Sequence, residues 1–275
     1  MRGCQLGGEK MKYLFINGSP HKGNTWKLAE EVQSLLKTIE PDSIIEEIHL
    51  VKLNIPFCTG CSLCFRTGGS NCPHNATIQQ VLDAIEEADG IIVASTSYNR
   101  RETTLLKNFF DHLCYLLHRP HFFTKKALVI TTTGGVGAKS AAKSIASFLK
   151  GIGFNKCYLL SVPAYSWNDY RINNKTKMKC EQVTKKFYQD ISFEKLHSPS
   201  VLVMIPYNLF RGMSLYYVKG SEYETEDGSY WTDPIRKDTV YDKVVPVPIY
   251  KRPIGYFFYF LGKKLGKKVM VTYKK

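Results

Sequence analysis

The sequence predicts an α/β protein: a doubly wound domain built on a five-stranded parallel sheet, followed by a C-terminal extension. Two observations carry this. Short apolar runs alternate with stretches whose apolar residues recur at spacings of three and four, and strand alternating with helix gives a parallel sheet covered on both faces. Three of the strand-like runs also end in turns rich in glycine and hydroxyl residues, and such sheets bind ligands at the carboxyl ends of their strands.

In chain order, "KYLFIN" (12–17) is the first strand. A helix follows over 25–39, with Leu28, Val32, Leu35, Leu36 and Ile39 on one face. "IIEEIHL" (44–50) is the second strand and 75–88 the next helix; "GIIVAS" (90–95) precedes a helix over 103–118; "ALVITTT" (127–133) precedes one over 138–150; "KCYLLSV" (156–162) is the fifth strand. The domain is drawn over 11–192, with 1–10 a polar tail and 193–275 the extension. The tail, MRGCQLGGEK, lacks the apolar stretch of a secretory signal, so the expected compartment is the cytoplasm. A composition 44% hydrophobic and 13% aromatic excludes a disordered chain.

The first strand ends in "NGSPHKGNTWKL", where a glycine turn opens a helix at Asn24 or Thr25. Ser19, Asn24 and Thr25 offer side-chain donors beside the free N–H groups of a helix N-terminus, which together suit a phosphate dianion, and Gly18 and Gly23 allow close backbone approach. The spacing imitates a P-loop without its lysine, so a single terminal phosphate fits better than a β/γ-phosphate with magnesium. The plain alternative is a capped helix after a glycine turn. The third strand ends in "STSYNRRETTLLKNFFDHL" and the fourth in "TTTGG". Tyr98 can stack on a flat ring, and the backbone at Thr96–Asn99 and Thr133–Gly135 can bond a heterocycle's edge. His112, His118 and His121 are read as packing or surface residues.

The order GSPHKGNT, then C-x-G-C-x2-C, then ADGIIVASTSY with Lys107, Phe109 and Asp111 following, then TTTGG, resembles the flavodoxin-like NAD(P)H-dependent FMN reductase family, which includes the iron–sulfur flavoproteins. The resemblance covers about residues 12–165. It implies a flavodoxin-like sheet in the order 2-1-3-4-5, FMN as cofactor, NAD(P)H as co-substrate and a homodimer. Carried over by residue, it puts the FMN phosphate on Ser19, His21, Asn24 and Thr25 and the isoalloxazine between Thr96, Ser97, Tyr98 and Asn99 on one side and Thr133, Gly134 and Gly135 on the other. The chain departs from the family's pattern at His21, at Ser95-Thr96-Ser97-Tyr98 and at Asp111-His112. The implied function is an FMN-dependent oxidoreductase that takes hydride from NAD(P)H and passes electrons to an acceptor the sequence does not identify. The alternative is an iron–sulfur flavoprotein, or a flavodoxin-like electron carrier or redox sensor without nicotinamide turnover.

After the second strand comes "CTGCSLCFRTGGSNCP" (58–73), in which Cys58, Cys61, Cys64 and Cys72 are spaced C-x2-C-x2-C-x7-C. A reducing compartment disfavours disulfides, and zinc usually takes two separated knuckles. The first three spacings wrap corners of a 4Fe-4S cubane, and the fourth cysteine precedes Pro73 as in bacterial ferredoxins. Cluster, zinc and unmetallated thiols all stay open.

The extension carries much of the net charge of +14: from Lys243 onward there are nine Lys or Arg and no Asp or Glu. It ends "RPIGYFFYFLGKKLGKKVMVTYKK", whose apolar stretch is too short to span a bilayer. Peripheral contact with an anionic membrane surface is one reading, and an arm packed on its own domain or on a dimer partner is the one we take. No nucleic-acid reader motif accompanies the basic residues, so nucleic acid is not an expected partner.

Overall fold

The computed structural model describes residues 10–166, 169–236 and 238–269. Strands β1 (Lys12–Asn17), β2 (Ile44–His49), β3 (Gly90–Thr96), β4 (Lys126–Thr133) and β5 (Lys156–Pro163) form one sheet in the order β2-β1-β3-β4-β5. Every pairing is parallel. The flavodoxin-like order 2-1-3-4-5 is therefore observed. Because the chain leaves β1 in one direction for β2 and returns past it to β3, a crevice opens where the carboxyl ends of β1 and β3 diverge.

Period-two alternation decides which side chain faces which layer. Leu14, Ile16, Ile91, Val93, Ala127 and Val129 pack beneath α3 (Asn75–Glu87), α4 (Thr104–His112) and α5 (Ala138–Gly151). Their neighbours Tyr13, Phe15, Ile92, Ala94, Leu128 and Ile130 pack on the opposite face against α1 (Asn24–Ile39) and α6 (Asn174–Ser192). Each of these side chains is at most 1% exposed, so both layers are needed to keep the strands dry. Each large one contributes about 1.5–3 kcal/mol by burial.

The element boundaries agree with the sequence reading to within a residue or two, with one exception. The helix expected over 103–118 stops at His112, and a 3₁₀ turn over Cys114–Leu117 follows. The tighter turn lets Leu113 and Leu116, three apart, both face the core.

Beyond α6 the chain forms α7 (Val201–Met213), α8 (Glu226–Thr232) and α9 (Arg252–Gly266), with a short helix α2 (Leu63–Arg66) lying earlier, inside the cysteine loop. Met204, Tyr207, Trp231, Val240, Tyr241 and Val245 form a third apolar cluster around Phe123 of the sheet domain. Helix α9 lies on α7 with their backbones in contact: a Cβ on Gly262 would fall 2.4 Å from the Leu209 carbonyl oxygen, and one on Gly212 would fall 2.2 Å from that of Tyr259. Within that stretch, α9 thus packs on α7 of its own chain. Among the described residues no helix is long and apolar enough to cross a membrane.

Candidate functional site

One cavity of about 690 Å³ opens at the carboxyl ends of β1, β3 and β4. Its walls gather Ser19, His21, Asn24 and Thr25 from the first turn, Thr96–Asn99 from the second and Thr133–Gly135 from the third. All the residues that the sequence singled out for phosphate and ring therefore line a single space. Thr104, Thr132, Ala164 and Ser166, which sequence reasoning missed, complete it.

Hydrogen bonds tie the three turns together. Asn17 Oδ1 accepts from the Ser19 amide (3.0 Å), Ser19 Oγ accepts from the Thr96 amide (3.0 Å), and Thr103 Oγ1 donates to the Gly18 carbonyl. The Thr25 and Thr132 hydroxyls are hydrogen-bonded to each other at 2.5 Å, and Asn24 Nδ2 donates to the Ser166 carbonyl at 2.7 Å. The two donors expected to grip a ligand also clamp α1 to β4 and to the loop after β5. Gly23 caps α1 with no side chain, and the first intrahelical bond runs from the Lys27 amide to the Gly23 carbonyl, so the positive end of the helix dipole stands at the cavity wall. Gly18 is required by packing: its Cβ would fall 2.8 Å from Leu106 Cβ on α4.

On the opposite side, Tyr98 and Arg101 bond amide to carbonyl in both directions (3.0 and 2.9 Å) around Asn99 and Arg100, whose φ angles are 50° and 65°. This is a primed turn, which asparagine tolerates and arginine adopts under strain. It holds Tyr98, 49% exposed, at the cavity rim. Ser97 donates its amide to the Thr132 carbonyl (2.8 Å), while its buried hydroxyl has no partner. No atom lies within 4 Å of where a Cβ would stand on Gly134 or Gly135. Open space above a glycine pair, in a cavity whose wall also carries Ser97, suits a flat guest with polar edges.

The cysteine loop is held one helical turn of α4 away. Thr104 lines the cavity; Asn108, four residues on, accepts the Cys58 amide on Oδ1 (3.3 Å) and donates through Nδ2 to the carbonyls of Ile55 (3.0 Å) and Pro56 (3.2 Å). His112, a further turn on, donates through Nε2 to the Pro56 carbonyl (2.8 Å), which leaves Nδ1 to accept the Cys72 thiol at 3.8 Å. Arg119 donates to the carbonyls of Cys64 (2.5 Å) and Phe65 (3.4 Å) and pairs with Asp227 of α8 at 2.5 Å. His112 and His118 thus pack, as expected, but also hold neighbours in place, since His118 Nδ1 bonds the other Asp227 oxygen at 2.7 Å.

Cys58 and Cys61 are exposed, while Cys64, Cys72 and Cys114 are partly covered. A hydrogen bond with Cys114 raises the Cys64 thiol pKa well above its ordinary value, helped by burial, and the same bond lowers that of Cys114. Burial raises the pKa of Cys72. The four predicted thiols share one loop, but among the described residues no three His, Cys, Asp or Glu side chains converge on a metal position. Cys114, Asn108 and Arg119 were missed; the legible trace was Asn108 and His112, a polar pair at i and i+4 on a buried helix face.

A family model described as NADPH-dependent FMN reductase matches residues 11–163. The chain is 31% identical over 192 residues to an iron–sulfur flavoprotein of Clostridioides difficile, covering 69% of this chain and 83% of that protein. It is 31% identical over 144 residues to an iron–sulfur flavoprotein of Archaeoglobus fulgidus, covering 51% and 69%. Among solved structures, the NAD(P)H:quinone oxidoreductase of Methanothermobacter marburgensis superposes with a TM-score of 0.52 at 15% identity over 70% of this chain and 100% of that one, a likeness of fold alone.

Proposed function

The chain belongs to the NADPH-dependent FMN reductase family, an oxidoreductase family, and from that premise we propose that it holds FMN in the cavity at the carboxyl ends of β1, β3 and β4, takes hydride from NAD(P)H there and passes the electrons to a separate acceptor. The single observation that carries this reading is the convergence of the α1 N-terminus, the unpartnered Ser97 hydroxyl and the open face over Gly134 and Gly135 on one cavity. These residues fit FMN: an anion at the helix end, a flat polar-edged ring above the glycines. Bound FMN supplies the hydride-accepting ring chemistry, and the protein supplies placement and electrostatics. Ser19, His21, Asn24 and Thr25 would hold the phosphate, Ser97 would bond a ring heteroatom, and Tyr98 at the rim would bound the space where a nicotinamide enters. No protein side chain is assigned as general acid or base.

Protein saturated with FMN and exposed anaerobically to NADPH or NADH is expected to lose its visible flavin absorption. Bound flavin that neither nucleotide bleaches leaves a flavodoxin-like carrier instead, and failure to bind flavin removes the reading.

A second reading, an iron–sulfur flavoprotein, is favoured by the names of the curated relatives and by the C-x2-C-x2-C-x7-C spacing. Among the described residues no three His, Cys, Asp or Glu side chains converge on a metal position, so no electron step is assigned to the thiols. Iron and acid-labile sulfide in anaerobically purified protein, both lost in Cys61→Ala with FMN retained, would establish it. Without iron or zinc in the wild type, the loop lines the approach to the flavin as free thiols, and Cys61→Ala costs on the order of 1 kcal/mol or less, as expected for an exposed residue.

A further inference from the structure

Helices α7, α8 and α9 enclose a second cavity of about 470 Å³ that shares no lining residue with the first. Arg211 of α7 forms part of its wall. This side chain is 5% exposed, its guanidinium stands 4.2 Å from the Tyr259 ring centre, and its buried Nη1 has no hydrogen-bond partner. Arg211 makes no ion pair among the described residues, and the Asp238 carboxylate acts on it only through space. Burial pulls its pKa down from the ordinary arginine value, but a guanidinium stays charged at neutral pH. An unpaired charge in an aromatic enclosure is costly, and folded proteins keep such groups where a ligand or partner completes them.

A second guanidinium on the same wall is also incomplete. Arg236 pairs through Nη1 with Asp233 (3.2 Å) and covers the Tyr230 ring at 3.9 Å, yet its buried Nε has no partner. Around these two donors the cavity is lined by Trp231, Tyr256, Tyr259 and Phe260, and Phe260, 58% exposed, stands at its mouth. Two guanidinium groups lining one cavity, each with an unused N–H, are the donor type that a two-oxygen anion takes. The Asp238 carboxylate on the same wall repels a second negative charge, which disfavours a phosphate dianion. Aromatic walls and a volume of this size suit a body of one or two fused rings.

We propose that this cavity binds an aromatic monocarboxylate, its carboxylate accepting from Arg211 Nη1 and Arg236 Nε and its ring lying among Trp231, Tyr256, Tyr259 and Phe260. The site belongs to the extension and stands independently of the flavin reading. Its fit to the chemistry of an electron acceptor or an effector follows from position: α8 is joined through Asp227 and Arg119 to the Cys64 carbonyl, so a ligand that orders α8 acts on the cysteine loop.

The test is calorimetric titration of the full chain, saturated with FMN, with 2-naphthoate, using the neutral 2-naphthylmethanol as control. Saturable one-to-one binding of the acid is expected, with the alcohol much weaker. Arg211→Met should weaken the acid roughly 10- to 100-fold, the loss of one or two charge-assisted hydrogen bonds. In ligand-free protein the same variant should raise the melting temperature, because it removes an uncompensated buried charge. Leu215→Trp, which keeps both arginines and fills the cavity, should abolish binding and covers the case in which Arg211→Met does not fold. NADPH bleaching of the flavin should be unchanged in both variants. The proposal is overturned if wild type shows no saturable binding at millimolar acid, if the alcohol binds as tightly, or if binding survives in Leu215→Trp.

Discussion

Asp227→Ala is expected to destabilise the protein by about 3–5 kcal/mol, as breaking a buried ion pair leaves its partner charged and dry. Asp227 is 5% exposed and Arg119 8%, and the carboxylate receives both Arg119 Nη1 (2.5 Å) and His118 Nδ1 (2.7 Å). The pair also joins three regions, since Arg119 holds the Cys64 carbonyl and the neighbouring Trp231 indole donates to the His118 carbonyl at 2.9 Å. Loss of Asp227 should therefore loosen both α8 and the cysteine loop, and the partly covered Cys64 thiol should react faster with a thiol reagent. Urea denaturation checks the magnitude. The double variant Arg119→Met/Asp227→Leu should cost less than the sum of the single changes, because no lone charge remains. A single-variant loss below about 1 kcal/mol would show that water reaches the pair and that the bridge is not structural.

Asn24→Ala combined with Thr25→Ala is expected to weaken FMN binding by about 2–4 kcal/mol, from two lost hydrogen bonds to a charged group. Both residues have a second task, because Thr25 bonds the Thr132 hydroxyl and Asn24 bonds the Ser166 carbonyl. The double variant therefore loses ligand contacts and also frees the loop after β5 to move. Neither change touches the buried layers beneath α1, where Trp26, Leu28, Ala29 and Val32 remain, so the domain should stay folded. Quenching of flavin fluorescence in a titration gives the affinity. An unchanged dissociation constant would sink the assignment of this turn to the phosphate and leave it as a clamp between α1 and β4.

The sheet was legible because its signals are local. "KYLFIN" and "GIIVAS" are apolar on both alternating faces, and only a strand covered on two sides requires that; the intervening stretches repeat at three and four because one helical face is buried. The candidate cavity was legible for a related reason. Parallel strands bring all their carboxyl ends to one edge, so residues flagged turn by turn must meet once the sheet order is known. Three things depended on long-range closure and left no period to read. Cys64 and Cys72, neighbours in a ligand-like spacing, are bonded in the fold to Cys114 and His112 respectively. Arg119 meets Asp227 across 108 residues of chain, and nothing in the sequence near either one indicates the other. The cavity around Arg211 lies where Gly212 and Gly262 let α7 and α9 touch backbone to backbone, with Trp231 of α8 on the same wall as a charge that the sequence shows only as one arginine in an apolar run. Periodicity and turn chemistry determine elements and the edge at which a ligand binds; which polar group ends beside which is settled by packing, where the cost of an unpaired buried charge selects the partner.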